Sequence, residues 1–245
     1  STDDPLREVL RMTLTPARLE QSTTTAERGK PLVIIVPGIR DRGIAWNVVK
    51  GELQQAGFAV TIAGWSEYFG VLTFLVPAPI FRRAAMRRLA KRIRDAIQAN
   101  TVDRIPPVVS YVAHSFGSYI LCHLLRKDHY LKTDRLILCG SVLPRSFKFS
   151  SFEERFRGPV LNDVGCKDRW PFIASCVTFG YGTVGTYGYH GDPVLDRFHR
   201  RAGHGHFSEA GFAEKFWVPF LKDGMAVPGD SPIPESSAAA SVFRA

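Results

Sequence analysis

Ser115 stands where a serine could be made to react. The apolar run Pro107–Val112 leads through Ala113-His114 into it, and Phe116-Gly117 opens the helix-like segment Ser118–Leu125 behind it. Strand, sharp turn and helix, with the serine at the apex, is the setting that exposes a hydroxyl for nucleophilic attack. Small residues two before and two after the serine, Ala113 and Gly117, let strand and helix approach closely while the turn is strained. The first of them is alanine where the motif has glycine, a departure of one methyl group. A serine hydroxyl is a poor nucleophile at neutral pH. It needs a base within hydrogen-bond reach, and the base needs an orienting acid.

Two aspartates and three histidines follow at suitable places. Asp163 lies within a short apolar run, and Asp168 lies in the loop after it, Gly165-Cys166-Lys167-Asp168. A carboxylate that must reach a histidine belongs at a strand's end, which favours Asp168 over Asp163. Asp168 could instead cap a helix near Pro171. His199, His204 and His206 are the candidate bases. His204 has glycine on each side, which suits a side chain that must swing between two partners, and His206 is the next choice. Two histidines two residues apart, with no acid or cysteine beside them, make a weak metal site, so no metal is expected. His114 reads as structural. Two backbone amides should face the developing oxyanion. Phe116 would supply one. Ile39, in the loop Val36-Pro37-Gly38-Ile39-Arg40-Asp41-Arg42-Gly43, would supply the other. Arg40 and Arg42 read as surface charges.

These side chains need a frame. Leu32–Val36 is a continuous apolar, β-branched run closed by Pro37-Gly38, the pattern of a strand buried on both faces. A helix is predicted over 44–56, a strand over Phe58–Ala63, and a helix over 83–99 with Leu89, Ile93 and Ile97 on its apolar stripe. Val108–Ala113 is a third strand, 116–127 its helix, Arg135–Gly140 a fourth strand, and Pro159–Val164 a weaker fifth. A further helix from Pro171 and a terminal one over Ala210–Leu221 complete the reading. Strands alternating with helices predict a mostly parallel sheet with helices on both faces and a ligand site beyond the strands' carboxyl ends.

Two segments interrupt the alternation. Tyr68–Phe81 is strongly apolar with two prolines, too short to cross a membrane, and reads as packing or an acyl-binding wall. Phe179–His190 is glycine- and aromatic-rich and reads as a loop edging the site. It has no lysine where a phosphate loop needs one. The expected division is an N-terminal extension over 1–30, one domain over 31–225, and a flexible tail over 226–245.

The net charge of +9 favours anionic partners, and much of it comes from Arg82 to Arg94 on one predicted helix. That face reads as solvated, with weak contact to an anionic membrane surface as the alternative. No nucleic-acid motif accompanies it. The four cysteines form no C-x-x-C pair and read as reduced. With no secretory signal at the start of the sequence, the expected setting is cytoplasmic.

A-H-S-F-G at 113–117, P-G-I-R-D-R-G at 37–43, G-C-K-D at 165–168 and G-H-G-H-F at 203–207 together resemble the α/β-hydrolase family over roughly residues 31–223. The family often has His-Gly where this chain has Pro37-Gly38, a position that the catalytic roles do not need. Alanine before the serine also occurs in its small bacterial lipases. The resemblance implies a compact α/β-hydrolase fold of about six strands without a large cap domain. It implies Ser115 as nucleophile, Asp168 as acid, His204 as base, and Ile39 and Phe116 as oxyanion donors. The implied activity is a serine hydrolase, esterase- or lipase-like, acting on a small-molecule or lipid carboxylic ester without a cofactor. The other readings are a hydrolase of amide, thioester or phospholipid acyl bonds, and a non-catalytic binding module on the same fold.

Overall fold

Every side chain of Leu32–Val36 is buried, because this strand, β1, lies inside a sheet covered on both faces. The structure is a computed structural model that describes residues 29–39, 45–64, 79–168, 182–189 and 193–231. The remaining strands are β2 (Ala59–Ile62), β3 (Val109–His114), β4 (Leu136–Cys139), β5 (Val160–Gly165) and β6 (Val194–His199). They form one six-stranded sheet in the order β2-β1-β3-β4-β5-β6, with every pairing parallel.

The period of two in each strand divides the core into two layers. Leu32, Ile34 and Val36 of β1 join Tyr111 and Ala113 of β3 on one face, under α2 (Pro79–Ala99) and α3 (Phe116–Lys127). Val33 and Ile35 join Val112, Ile137 and Leu161 on the other, under α1 (Asn47–Gln55) and the C-terminal aromatics Phe212, Trp217 and Phe220. Each fully buried aliphatic side chain contributes roughly 1.5–3 kcal/mol. In α2 the buried stripe is Ala85, Leu89, Ile93 and Ala96, and Arg87, Arg88, Lys91, Arg92 and Arg94 lie on the exposed side. That is the amphipathic division read from the sequence.

Five of the strands fall where the sequence puts them. The sixth, β6, carries Asp196, Arg197 and His199, and its polar side chains conceal the apolar signal. Burial of Arg197 and His199, and partial burial of Asp196, is possible because β5 supplies their partners. Asn162 Nδ2 donates to Asp196 Oδ1 at 2.7 Å, and Asp163 receives Arg197 and His199. The chain then makes a π-type turn over Ala213–Trp217 that runs into α5 (Val218–Asp223), and Gly224 closes it at φ 74°. Beyond α5, Ser231 N–H donates to the Phe198 carbonyl at 3.2 Å and Arg200 N–H donates to Asp230 at 2.8 Å, so 227–231 follow the β6 edge.

β1 is flanked by β2 on one side and β3 on the other, so the chain reverses direction across the sheet between them. The crevice at the carboxyl ends of β1 and β3 is therefore the expected ligand position. Arg40, Arg42, the segment before Pro79, the predicted helix at Pro171, residues 1–28 and residues 232–245 lie outside the described residues, as do Phe179–Tyr181 and His190 of the aromatic loop.

Candidate active site

β3 ends at His114 and α3 begins at Phe116, which leaves one residue to reverse the chain. Ser115 does so at φ 53° and ψ −129°, a conformation that a side-chain-bearing residue rarely adopts. Such a backbone costs on the order of 1–3 kcal/mol and persists only where surrounding contacts hold it. Ser115 N–H donates to the Cys139 carbonyl at 3.0 Å, and the Ser118 amide and hydroxyl both donate to the Ser115 carbonyl, at 3.0 and 2.6 Å. Ser118 Oγ also meets Ser141 Oγ at 2.9 Å, tying the turn to the end of β4.

Gly117 is fixed by close approach. A Cβ there would come within 2.4 Å of the Val36 carbonyl oxygen and 2.5 Å of that of Pro37. Ala113, the departure from the motif, faces the first core layer and is fully buried there, so its methyl group packs.

The side chains of Ser115, His204 and Asp168 meet beyond the sheet. His204 Nε2 is 3.0 Å from Ser115 Oγ, and His204 Nδ1 is 2.8 Å from Asp168 Oδ2. Asp168 is almost wholly buried in the turn after β5. Its amide donates to the Gly165 carbonyl at 2.9 Å, and its own carbonyl accepts Thr186 Oγ1–H at 2.7 Å from α4 (Val184–Tyr187). The loop carrying His204 follows β6 and is laced to the β5 loop by Cys166 N–H to His199 O and Lys167 N–H to Ala202 O, both 3.0 Å. Gly140, at φ 51°, lies beneath the pair: a Cβ there would stand 3.0 Å from Asp168 Oδ2 and 3.2 Å from His204 Nδ1.

The other candidates go elsewhere. Asp163 is fully buried and accepts Arg197 Nε–H at 2.6 Å, Arg197 Nη2–H at 2.9 Å, His199 Nε2–H at 2.8 Å and Trp217 Nε1–H at 2.7 Å. Burial alone would push its carboxyl up; the Arg197 charge and the hydrogen bonds from His199 and Arg197 outweigh this and hold it at about 2. His199 is thus consumed by that cluster. His206 pairs with Glu209 at 2.8 Å near the surface. Asp163 lies inside the sheet and Asp168 beyond it.

His114 has a position that the sequence does not disclose. Its Nε2–H donates to the His204 backbone carbonyl at 3.0 Å, and the two rings lie 4.5 Å apart. Burial, and then the neighbouring His204 charge, push its pKa down to about 3, so the ring is neutral. Gly38 borders both residues: a Cβ there would be 3.1 Å from Ser115 Cβ and 3.5 Å from His114 Nδ1. The loop carrying Ile39 is therefore against Ser115, and the Phe116 amide is at the positive end of α3. Among the described residues no group of three potential metal ligands occurs.

No protein-family model matches the sequence, and no curated protein does. Solved structures do. An uncharacterized protein from Bacillus cereus superposes with a TM-score of 0.55 at 14% identity, over 86% of this chain and 68% of that one. Est1E from Butyrivibrio proteoclasticus superposes with a TM-score of 0.50 at 14% identity, over 81% of this chain and 88% of that one. A structure from Coxiella burnetii described as an alpha-beta serine hydrolase homologue gives a TM-score of 0.48 at 14% identity, over 81% and 86%. The likeness to the first two, with the parallel six-stranded sheet and its strand order, gives the chain the α/β-hydrolase fold.

Proposed function

We propose that this protein is a serine hydrolase that cleaves carboxylic esters through an acyl-enzyme on Ser115. The observation that carries this reading is the continuous relay from Ser115 Oγ to His204 Nε2, 3.0 Å, and from His204 Nδ1 to Asp168 Oδ2, 2.8 Å. A fold kept only for binding has no need of this alignment or of a strained serine.

In this reading Ser115 Oγ attacks the acyl carbonyl carbon while His204 Nε2 takes the hydroxyl proton. The carbonyl π pair moves onto oxygen, where the Ile39 and Phe116 amides stabilise it, each donor contributing roughly 10²–10³ in rate. Collapse of the tetrahedral adduct breaks the ester C–O bond, and the departing alkoxide takes the proton from His204. Water then adds to the acyl-enzyme with His204 again as base, and collapse frees the carboxylic acid and Ser115. Asp168 accepts Nδ1–H throughout, which keeps the unprotonated nitrogen facing the serine and stabilises the imidazolium. Amide, thioester and phospholipid acyl bonds would follow the same steps.

A fluorophosphonate probe tests the assignment. Labelling of the wild-type protein that disappears in Ser115→Ala is the expected result; no labelling, or equal labelling of both, overturns it. A panel of esters and thioesters graded by chain length then identifies the acyl group.

A further inference from the structure

Helices α2 and α3 line a cleft of about 250 Å³. Arg82, Arg83, Arg126 and Lys127 line it, and among the described residues no acid does. The carboxylates of Asp95 on α2 and Asp128 just after α3 are engaged: Asp95 pairs with Lys91, and Asp128 pairs with Arg94. Among the described residues no carboxylate pairs with Arg83, Arg126 or Lys127, and all three are exposed. Like charges gathered at one cleft repel each other unless an anion or solvent screens them.

One wall is aromatic. The Tyr119 and His123 rings lie 4.2 Å apart, and Arg82 lies over Tyr119 while donating to its hydroxyl at 2.8 Å. His123 Nδ1 accepts Arg126 Nη2–H at 3.0 Å. Burial, and then the charges of Arg126, Lys127 and Arg82, push the His123 pKa down to about 4, so its ring is neutral. A neutral ring that accepts at Nδ1 carries its proton at Nε2, which makes that atom a further donor. Met86 and Ile120 add an apolar surface.

We propose that this cleft binds a small phosphate-bearing molecule, with Arg83, Arg126 and Lys127 on the phosphate and the organic part against the Tyr119–His123 wall. A phosphate dianion offsets two of the three charges on Arg83, Arg126 and Lys127, and arginine presents its donors in the fork that phosphate oxygens accept. A monocarboxylate would offset one charge of the three. The volume suits a ligand below drug size. The binding stands apart from the hydrolase reading. The cleft does follow the helix that begins just after Ser115, and His123, eight residues on from the serine, lies roughly 12 Å along its axis. The phosphate could therefore belong to the substrate or to a separate ligand.

Calorimetry at constant ionic strength tests this with phenyl phosphate, inorganic phosphate and benzoate as probes. Phenyl phosphate is expected to bind wild type and Ser115→Ala alike, and more tightly than benzoate. The triple variant Arg83→Gln, Arg126→Gln, Lys127→Gln should weaken it at least about tenfold. The single variant Lys127→Gln, at an exposed helix end, guards against misfolding and should weaken it about threefold. Equal affinity for phenyl phosphate and benzoate, or equal affinity in wild type and the triple variant, overturns the proposal. Two acyl esters, one with a distal phosphate and one neutral, then separate the sources. A raised KM for the phosphorylated ester alone in the triple variant assigns the cleft to the substrate. Phosphate binding with both esters unchanged assigns it to a separate ligand. A failure of both esters to turn over in wild type would count against the hydrolase reading and leave the calorimetric result intact.

Discussion

The His114 side chain holds the main chain of His204: its Nε2–H donates to the His204 carbonyl at 3.0 Å, while the His204 ring faces Ser115. The residue before the serine thus anchors the loop that carries His204. Only a ring protonated at Nε2 can donate there, and a neutral one leaves Nδ1 as a buried acceptor that no described residue satisfies.

Acid should therefore destabilise the fold early. Native His114 stays neutral down to about 3, against an ordinary value of 6.5, and native His123 behaves likewise down to about 4. Between those values the unfolded chain binds protons that the native chain does not. Stability is fully present above pH 6.5 and is lost as pH falls toward these folded values. Chemical denaturation across that range should give a falling midpoint. His114→Gln should be less stable near neutrality and show a shallower decline, with His123 supplying what remains. A decline as steep as wild type would remove His114 from the account.

Gly140→Ala should damage activity more than stability. Its φ of 51° is strained for alanine, and the added methyl would press on Asp168 Oδ2 and His204 Nδ1 at 3.0 and 3.2 Å. The hydrogen bond that sets the imidazole tautomer would be displaced, and such misplacement costs on the order of 10²-fold in kcat. Gly203→Ala and Gly205→Ala, where an added Cβ meets nothing within 4 Å, should change kcat little. The two glycines beside His204 suggest loop mobility on sequence grounds, so a large loss in these controls would show that mobility matters more than fit.

The frame was legible because β1, β3 and β4 are buried on both faces: β1 and β4 read as unbroken apolar runs, and β3 is interrupted only by Ser110 before His114 ends it. β6 was not, since Asp196, Arg197 and His199 look like surface residues until their partners on β5 are known. Hydrogen bonds between neighbouring strands make burial affordable, and a single strand's pattern does not contain them. The meeting of Ser115, Asp168 and His204 was foreshadowed by turn chemistry and chain order. The part played by His114 was hidden, because its partner is a backbone carbonyl 90 residues away.

Asp163→Asn should unfold the protein without touching the chemistry. The change leaves the Arg197 guanidinium, 3% exposed, beside a neutral amide. Removing one partner of a buried ion pair costs about 3–5 kcal/mol. Thermal melting should fall sharply, while the fraction that remains folded at low temperature keeps its fluorophosphonate labelling. Retained stability would mean that Trp217 and His199 hold the site without the carboxylate.

Asp168→Asn should do the opposite. The amide matches the carboxylate in shape, so the turn after β5, held by the Gly165 and Thr186 hydrogen bonds, should stay folded. The Nδ1 proton would lose its anionic acceptor, and the imidazole could present Nε2–H to the serine, which needs an acceptor there. Loss of the correct tautomer costs about 10⁴-fold in kcat where such a relay operates. KM should change little, since Asp168 does not touch the acyl group in the proposed mechanism. His206→Gln should leave kcat near wild type, because that ring pairs with Glu209 and not with Ser115. Steady-state kinetics on one reactive ester distinguishes the cases. A large loss in His206→Gln with a small one in Asp168→Asn would move the base to the second histidine and dissolve the relay.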